Sequence, residues 1–324
     1  MMTLIRSVAA VCGVDGCGWD DVNSALNVVR LLWHLYSNYR GLVLRYACDG
    51  TITLVWDEYT LPQDMDTNEQ QEQLRHRLHL LYHELRPRGS AYSYVVDTEA
   101  FEEHLDLYVG LRQSRDSELW PEVTFDDGHI SNYEFALPRL VARGLTARFF
   151  ITAGWTGQRP GYMGWTELRA MVAAGQQIGG HGWSHTLLPH CDQQQLDMEL
   201  RRTRLTLEEK LGVAVTTMSL PGGRYNRRVL AACREAGYTQ VYTSEPRAEL
   251  ISSEEIVGRL NIRGDMSLEW LQKLFGTDSK VLQKLGQQYR WKETAKKMLG
   301  DTLYAKIWAL ANRQEKDASE ATTE

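Results

Sequence analysis

The sequence has few cysteines, and none stands in a pattern that binds a metal or builds a disulfide framework. The 324 residues contain five cysteines, an odd number with no Cys-x-x-Cys pair. They are Cys12, Cys17, Cys48, Cys191 and Cys233. Disulfide-rich secreted domains and thiolate zinc sites both need closely paired cysteines. The cysteines therefore argue against both classes and favour a reducing, cytoplasmic location.

Long apolar runs and an excess of basic charge are also missing. No apolar run approaches the ~20 residues that span a bilayer. Residues 7–14, which follow Arg6, are at the short limit of a signal-peptide core and lack a small-x-small cleavage site, so we interpret them as a strand and loop. The formal net charge of −6 argues against a nucleic-acid partner, because such proteins need a basic face to neutralise phosphates.

The chain is predicted to have three parts: a small α+β unit with a linker (1–74), an α/β domain (75–275) and a helical extension (276–324). The first part contains an amphipathic helix over 22–36 and a hairpin whose strands, 42–46 and 51–56, flank Asp49-Gly50, a pair typical of tight hairpin turns. An acidic linker follows over 57–74. The polar tail, 315–324, is predicted to be disordered.

The middle part alternates strand and helix patterns, which predicts a parallel sheet closed into a distorted (β/α) barrel of about seven strands. Its first strand is ambiguous. Leu74, Leu78, Leu81 and Leu85 have helical spacing and by themselves favour a helix over 67–85, whereas the competing interpretation is a strand that ends at His83. The predicted strands are 79–83, 121–125, 145–151, 177–180, 213–220, 239–243 and 255–262.

Two carboxylates and two histidines form the most informative pattern in the chain. Asp126 and Asp127 follow a β-branched apolar run, and His181 and His185 begin 54 positions after Asp127. Two imidazoles and one carboxylate, with a position left open for water, are typical of a catalytic zinc site. The second carboxylate is then free to act as a base.

These residues also stand where a barrel enzyme places its chemistry. Asp126, Asp127, His181 and Pro221-Gly222-Gly223 all fall at the carboxyl ends of predicted strands. Parallel barrels carry their active sites at that end. We therefore expect all of these residues to share one site.

Three motifs resemble those of the polysaccharide deacetylase family (carbohydrate esterase family 4, the NodB-homology domain). They are Thr124-Phe125-Asp126-Asp127-Gly128, His181-Gly182-Trp183-Ser184-His185 and Leu220-Pro221-Gly222-Gly223-Arg224-Tyr225. The resemblance covers roughly residues 76–275. It implies a distorted (β/α) barrel and metal-dependent removal of an acetyl group from an N-acetylated carbohydrate.

The resemblance also implies a role for individual residues. Asp127, His181 and His185 match the family's ligands for one divalent metal, and Asp126 matches its general base. Zinc is the expected ion, with Co²⁺, Ni²⁺, Mn²⁺ and Fe²⁺ as alternatives. Residues expected to contact the substrate or its oxyanion are Pro221, Gly222, Gly223, Arg224, Tyr225 and Trp183, and Trp155 and Trp165 are further candidates for a sugar subsite.

Two departures from the family pattern bear on activity. Many members have an arginine that braces the base two positions before the third motif's proline, yet this chain has Ser219 there. The usual late histidine that serves as general acid is also missing, since no histidine follows His190. However, Leu80-Leu81-Tyr82-His83 resembles the first strand of circularly permuted exopolysaccharide deacetylases, in which a histidine takes the acid role. This likeness assigns the acid to His83 and favours the strand interpretation of 79–83.

The function that the resemblance implies is a metal-dependent deacetylase that acts on an amino-sugar glycan or a glycan precursor. Two alternatives stay open. The first is a cytosolic amidase that acts on a small non-sugar amide. The second is a non-catalytic glycan-binding or scaffold protein that retains the fold, which the serine at position 219 favours.

The segment 267–313 has a charge opposite to that of the whole chain. It contains nine Lys or Arg residues against four acids, interleaved with aromatic and aliphatic residues. A basic amphipathic helix of this kind lies on anionic lipid, which would place the protein at the inner face of a membrane. The alternative is a helix packed on the barrel with a solvated basic face.

Overall fold

The computed structural model of the protein describes residues 42–46, 52–56, 76–88, 90, 92–114, 119–249, 255–276 and 280–299. The chain divides into two compact units, Met1–Gln71 and Glu72–Glu324. In the first unit, β1 (Leu42–Tyr46) pairs antiparallel with β2 (Ile52–Trp56). These are the predicted hairpin strands. The helix expected over 22–36, the acidic linker and the tail lie outside the described residues.

The second unit alternates strands with helices. Its strands are β3 (His76–Tyr82), β4 (Glu84–Arg86), β5 (Val95–Asp97), β6 (Leu119–Phe125), β7 (Ala147–Ile151), β8 (Gln177–Gly180), β9 (Thr217–Ser219), β10 (Gln240–Tyr242), β11 (Ile256–Val257) and β12 (Arg259–Asn261). Its helices are α1 (Thr98–Gln113), α2 (Leu137–Ala142), α3 (Trp165–Ala173), α4 (Gln193–Asp197), α5 (Thr203–Leu211), α6 (Arg227–Glu235), α7 (Leu268–Phe275) and α8 (Val281–Leu299). Two π-helical turns, Asn132–Ala136 and Met198–Arg202, run directly into α2 and α5.

Eight strands form one parallel sheet in the order β11-β10-β9-β8-β7-β6-β3-β12. Its two end strands are consecutive in the chain, with only Gly258 between them. One stretch of backbone thus pairs with β10 through β11 and with β3 through β12, which closes the sheet into a seven-sided barrel. A Cβ at position 258 would lie 2.6 Å from the Glu245 carbonyl oxygen, so glycine is required where the strand changes partner. The barrel prediction is confirmed.

Residues 76–82 form a strand, so helical periodicity over 67–85 is a misleading signal. β3 is hydrogen-bonded to β6 on one side and to β12 on the other. The side chains from Leu78 to Tyr82 are all buried. A strand inside a parallel barrel is covered on both faces, so its sequence shows a continuous apolar run instead of alternation. The strand interpretation is therefore confirmed, and His83 is the first residue after β3.

The core lies mainly between the barrel and its helices. Phe125 and Phe149, on neighbouring strands, stack with ring centroids 4.9 Å apart, and Phe101 of α1 packs edge-on against Phe125. Inside the barrel, Phe150 and Tyr242 form a smaller apolar cluster with Val257. Among the described residues, no helix has the length and apolar character needed to cross a membrane.

Candidate metal centre

The ends of β6 and β8 position the two halves of the predicted site. Asp126 directly follows β6, and its backbone N–H donates to the Tyr82 carbonyl oxygen at 3.1 Å. His181 directly follows β8, and its N–H donates to the Ile151 carbonyl oxygen at 2.8 Å. These bonds continue the parallel ladder one residue beyond each strand. Both residues are thus held at the carboxyl end of the barrel.

Asp127, His181 and His185 bring their ligand atoms together. Asp127 Oδ1 lies 3.2 Å from His181 Nε2 and 3.3 Å from His185 Nε2. All three ligand atoms lie within 4.8 Å of one another. Within the part of the chain that the structure describes, Asp127 Oδ1 is buried and has no hydrogen-bond partner. A buried carboxylate oxygen that faces two imidazole nitrogens suits a divalent cation, which supplies the missing partner.

The orientation of His181 fits metal ligation as well. Its Nδ1 donates a hydrogen bond to the Ser219 carbonyl oxygen at 2.9 Å. Because a carbonyl oxygen only accepts, this bond places a proton on Nδ1, so in the neutral ring Nε2 keeps its lone pair for a metal. Ligating histidines in proteins are commonly held by this kind of bond.

The backbone at the ligands adopts an uncommon conformation. Of the non-glycine residues that the structure describes, only Asp127 and His185 have positive φ angles, 71° and 62°. A side chain in this left-handed region costs free energy that surrounding contacts must offset. That both exceptions are members of the ligand group indicates that the loops are shaped to aim these two side chains.

Glu199 anchors the loop that carries the two histidines. This carboxylate is 5% exposed, and it accepts hydrogen bonds from the backbone N–H groups of Trp183 at 2.7 Å and Ser184 at 3.0 Å. It also accepts from the Ser184 hydroxyl at 2.5 Å. Glu199 lies on a π-helical turn, a feature often found at functional sites. The sequence analysis missed this residue, whose only signal is an acid beside the apolar positions of a long helix.

Asp126 is held by a different set of contacts. It is 3% exposed, and its two carboxylate oxygens accept from Arg259 Nη1 and Nη2 at 2.7 and 2.8 Å. The Ser219 hydroxyl donates to Asp126 Oδ2 at 2.9 Å and accepts from Arg259 at 2.7 Å. Burial tends to raise the pKa of Asp126, but the Arg259 guanidinium, together with His181 and His83, outweighs burial and lowers the pKa below the ordinary value. Asp126 is therefore ionised at neutral pH.

Arg259 occupies the role that the sequence analysis expected at position 219. It comes from β12, 40 positions after Ser219, and its side chain is fully buried in the barrel. Ser219 takes part in this arrangement, because its hydroxyl bridges the Arg259 guanidinium and the Asp126 carboxylate. The sequence signal that was overlooked is a single arginine inside the last apolar strand.

His83 lies beside this group. Its ring packs edge-on against Tyr94, with centroids 5.0 Å apart, and its Nδ1 is buried without a hydrogen-bond partner among the described residues. Burial lowers the pKa of His83, while the neighbouring Asp127 and Asp126 carboxylates act in the opposite direction. Its backbone carbonyl oxygen accepts from Asn132 Nδ2 at 2.8 Å. The imidazole is thus fixed near both carboxylates.

Aromatic residues border the ligand group on the side of His185. The Trp155 ring lies 5.4 Å from the His185 ring and 4.7 Å from the Tyr162 ring. The Trp183 ring packs against the Arg202 guanidinium, 3.9 Å from its centroid, and Trp165 begins α3. Of the three tryptophans proposed for a sugar subsite, Trp155 therefore lies beside a ligand.

The third motif forms a tight turn after β9. Pro221–Gly223 is a short 3₁₀ turn in which Gly222 and Gly223 have φ angles of 64° and 67°. The Gly223 N–H donates to the Leu220 carbonyl oxygen at 2.8 Å, so this amide is already used. Tyr225 is 40% exposed, and within the described residues its N–H has no acceptor. Arg224 lies between them.

The other histidines that the sequence places near the site are not in the ligand group. His129 Nδ1 is 2.8 Å from the Ser131 hydroxyl, and its Nε2 is 3.8 Å from a Glu84 oxygen. His190 ends a 3₁₀ turn that precedes α4.

The chain resembles known proteins over the barrel. The sequence model of the family described as polysaccharide deacetylase matches residues 121–241. A putative polysaccharide deacetylase, YxkH, of Bacillus subtilis is 30% identical over 126 residues, which are 39% of this chain and 45% of that protein. The peptidoglycan-N-acetylglucosamine deacetylase PgdA of Listeria monocytogenes is 29% identical over 108 residues, 33% of this chain and 22% of that protein.

Among solved structures, IcaB from Ammonifex degensii is similar, with a TM-score of 0.52 and 25% identity. The match covers 61% of this chain and 95% of that chain. The chain spans less than half the length of the two curated relatives. The residues matched by the family model, 121–241, include Asp126, Asp127, His181 and His185. The chain therefore contains a polysaccharide deacetylase domain of the NodB/CE4 type.

Proposed function

We propose that the protein is a metal-dependent deacetylase that hydrolyses the N-acetyl group of an amino sugar in a glycan or glycan precursor. One observation carries the proposal: two adjacent carboxylates have opposite environments. Asp127 has an unpartnered buried oxygen that faces His181 and His185, whereas Asp126 is locked in an ion pair with Arg259. One is suited to hold a cation and the other to accept a proton. The names of the matched relatives support the substrate class.

In this proposal Asp127, His181 and His185 hold one divalent ion, with zinc preferred for two nitrogens and one oxygen. When bound there, such an ion polarises the acetamide carbonyl and lowers the pKa of a water molecule. The residues of the chain supply the rest of the chemistry, which needs a base, an acid and a binding surface for the sugar.

Asp126 acts as the base. Its carboxylate is ionised, and Oδ2 lies 3.8 Å from His181 Nε2, so it borders the ligand group. It accepts the proton of the water whose oxygen attacks the carbonyl carbon. His83 then donates a proton to the amide nitrogen as the carbon–nitrogen bond breaks, which releases acetate and an amine.

The remaining contacts orient the substrate. The free N–H of Tyr225, in the turn after β9, supports a role for the segment 221–225 in holding the oxyanion. Trp155 and Trp183 offer aromatic faces for sugar C–H groups. Of the N–H groups expected to hold the oxyanion, that of Gly223 is excluded, because it already donates to the Leu220 carbonyl oxygen. The Tyr225 N–H remains as a donor.

A substrate screen tests this function. Acetate release would be measured with N-acetylglucosamine oligomers and with peptidoglycan fragments, and ammonia or amine release with small amides. We expect acetate release from the carbohydrates and no release of ammonia or amine from the small amides. Release from small amides alone would favour the amidase alternative. If metal-loaded protein binds the oligomers and cleaves nothing, the binding-protein alternative is correct.

We also propose that the protein works in a reducing cytoplasm and contacts anionic lipid through residues 267–313. The first turns of α8 pack on the core through Val281, Leu282 and Leu285, while Trp291 is 77% exposed between Arg290 and Lys292. Sedimentation with anionic vesicles tests this contact, with neutral vesicles as control. Binding should weaken as salt rises, because exposed charges are screened within about 10 Å at 0.1 M salt. Equal binding to both vesicles would reject it.

A further inference from the structure

The barrel has a cavity at the end opposite the metal centre. Its volume is about 310 Å³, and its described lining comes from β3, β6, β7, β8 and β10, with Arg112 of α1 and Thr146 beside them. None of Asp126, Asp127, His181 and His185 is among these lining residues. His79 on β3 is opposite Glu122 on β6, and Arg148 on β7 is opposite Thr124. Asp126 and Asp127 lie beyond the far end of β6. The cavity is therefore separate from the proposed active site.

Positive charge dominates this cavity. Of the lining residues that the structure describes, Arg77, Arg112 and Arg148 are basic and Glu122 is acidic. Glu122 forms ion pairs with Arg77 at 2.9 Å and with Arg112 at 3.3 Å. The lining thus has a formal charge of +2 in a chain whose net charge is −6.

Arg148 is the cation without a countercharge. Its guanidinium donates to the Gln177 side-chain oxygen from Nε at 3.0 Å and from Nη2 at 2.5 Å, and to the Tyr242 hydroxyl from Nη1. Among the described residues no carboxylate is within ion-pair distance of it. Burial lowers the pKa of Arg148. Glu122 acts on this guanidinium at longer range and opposes the effect of burial on its pKa. A half-buried guanidinium whose hydrogen bonds go only to neutral groups costs free energy that a nearby anion would recover.

His79 provides a second, independent sign of a binding site. It lines the cavity, is 8% exposed and packs edge-on against Tyr242 at 5.3 Å. Its ring nitrogens have no hydrogen-bond partner in the described part of the chain. Burial, together with Arg148, Arg259 and Arg77, lowers the pKa of His79 to about 3. The imidazole is therefore neutral at pH 7 and presents one N–H donor and one acceptor to the cavity.

We propose that this cavity binds a small phosphoryl dianion, either inorganic phosphate or the phosphate group of a small monoester. A phosphate dianion neutralises the charge of +2, and the guanidinium fork of Arg148 matches the spacing of two phosphate oxygens. The His79 N–H donates to a phosphate oxygen, and the unprotonated ring nitrogen accepts from the P–OH of inorganic phosphate or from a hydroxyl of a monoester's organic group. The volume leaves room for an organic group of a few carbons beside the phosphate.

Isothermal titration of the full chain tests the proposal. Inorganic phosphate and glycerol phosphate would be titrated at constant ionic strength, with chloride as the monoanion control. We expect one saturable site per chain for phosphate and a rise in melting temperature with phosphate concentration, as ligand linkage requires. Tighter binding of glycerol phosphate would identify a monoester as the ligand, and tighter binding of phosphate the free ion. No saturable binding of either would overturn the proposal.

Two variants of opposite sign locate the binding. Arg148→Gln should weaken phosphate binding roughly 10- to 100-fold, since it removes charge-assisted hydrogen bonds. Glu122→Gln raises the formal charge of the lining and should strengthen binding several-fold. Arg169→Gln, on the exposed surface of α3, serves as the control and should change nothing. Unchanged binding in Arg148→Gln would place the phosphate elsewhere and overturn the proposal. If Arg148→Gln fails to fold, Glu122→Gln provides the test. Phosphate binding to Glu122→Gln that is equal to or weaker than binding to wild type would overturn the proposal.

Discussion

Arg259 and Asp126, 133 positions apart in the sequence, form a bidentate ion pair in which both donor–acceptor distances are below 2.9 Å. The pair lies inside the barrel, where water does not screen it. It explains how a chain with serine at position 219 keeps its proposed base ionised. Arg259 is a positioning residue in this sense, since it acts through Asp126.

Replacement of Arg259 should therefore change the pH dependence of the reaction. In Arg259→Met the pKa of Asp126 rises, because burial then acts without the opposing guanidinium. Since the base must be ionised, the acid limb of the kcat/KM profile should move to higher pH. Arg259→Lys should restore part of the shift, and Arg263→Met, which removes an exposed arginine, should leave the profile alone. The free energy of unfolding should also fall by about 3–5 kcal/mol, as for other buried pairs that lose one partner. An unmoved acid limb would contradict the positioning role.

The metal site is tested by His185→Ala. Its imidazole supplies one of three ligand atoms, so the variant should lose most of the bound zinc. Elemental analysis of purified protein measures this directly. His190→Ala is the matched control, because His190 is close in sequence but outside the ligand group. Equal zinc in wild type and His185→Ala would remove the basis for the site.

Asp126→Asn separates the base from the ligands. The amide keeps the shape of the side chain but accepts protons poorly, so turnover should fall by a factor on the order of 10² to 10⁴. Zinc content should remain that of wild type, because Asp126 is not among the three grouped ligands. Loss of zinc in this variant would show that Asp126 is a ligand.

His83→Ala tests the general acid. Zinc should be retained, and turnover should fall roughly 10²-fold or more. An acid acts only while protonated, so in wild type the rate falls as pH rises through the pKa of His83. Burial lowers that pKa, which puts this alkaline limb at a lower pH than for an exposed histidine. The limb should disappear in His83→Ala. Normal turnover in His83→Ala, together with reduced turnover in His129→Ala, would show that His129 is the general acid.

His104 makes the stability of the fold dependent on pH. Burial lowers its pKa to about 4 from an ordinary value of 6.5. Between these values the unfolded chain binds a proton that the folded chain does not, so stability falls as pH drops from 6.5 to 4, by about 2 kcal/mol at pH 5.

His104→Phe should remove this contribution. The substitution also alters the packing around position 104, so the free energy of unfolding at pH 7 changes too. The hydroxyl of the neighbouring Tyr82 keeps its hydrogen bond to the Tyr108 hydroxyl at 2.7 Å. The difference between the unfolding free energies at pH 7 and pH 5, measured with urea, should be about 2 kcal/mol smaller than in wild type. An identical difference in both proteins would show that His104 titrates normally.

The sequence by itself determined the local features of this protein. Alternating strand and helix patterns predicted the parallel barrel, and Asp49-Gly50 marked the hairpin. The carboxyl-terminal positions of Asp127 and His181 on their strands predicted that they would meet. Such features depend on neighbours in the chain, and the parallel arrangement alone carries strand ends to one side.

Only the tertiary structure decided which residues complete the site. Residues 76–82 become a strand because β6 and β12 cover both of their edges, which helical spacing cannot reveal. Arg259 reaches Asp126 because the last strand closes the barrel beside the first, and Glu199 reaches the histidine loop because a π-helical turn directs it there. These contacts join residues that lie far apart in the chain. Their partners are set by how the barrel closes and packs, and no local pattern of residues encodes that closure.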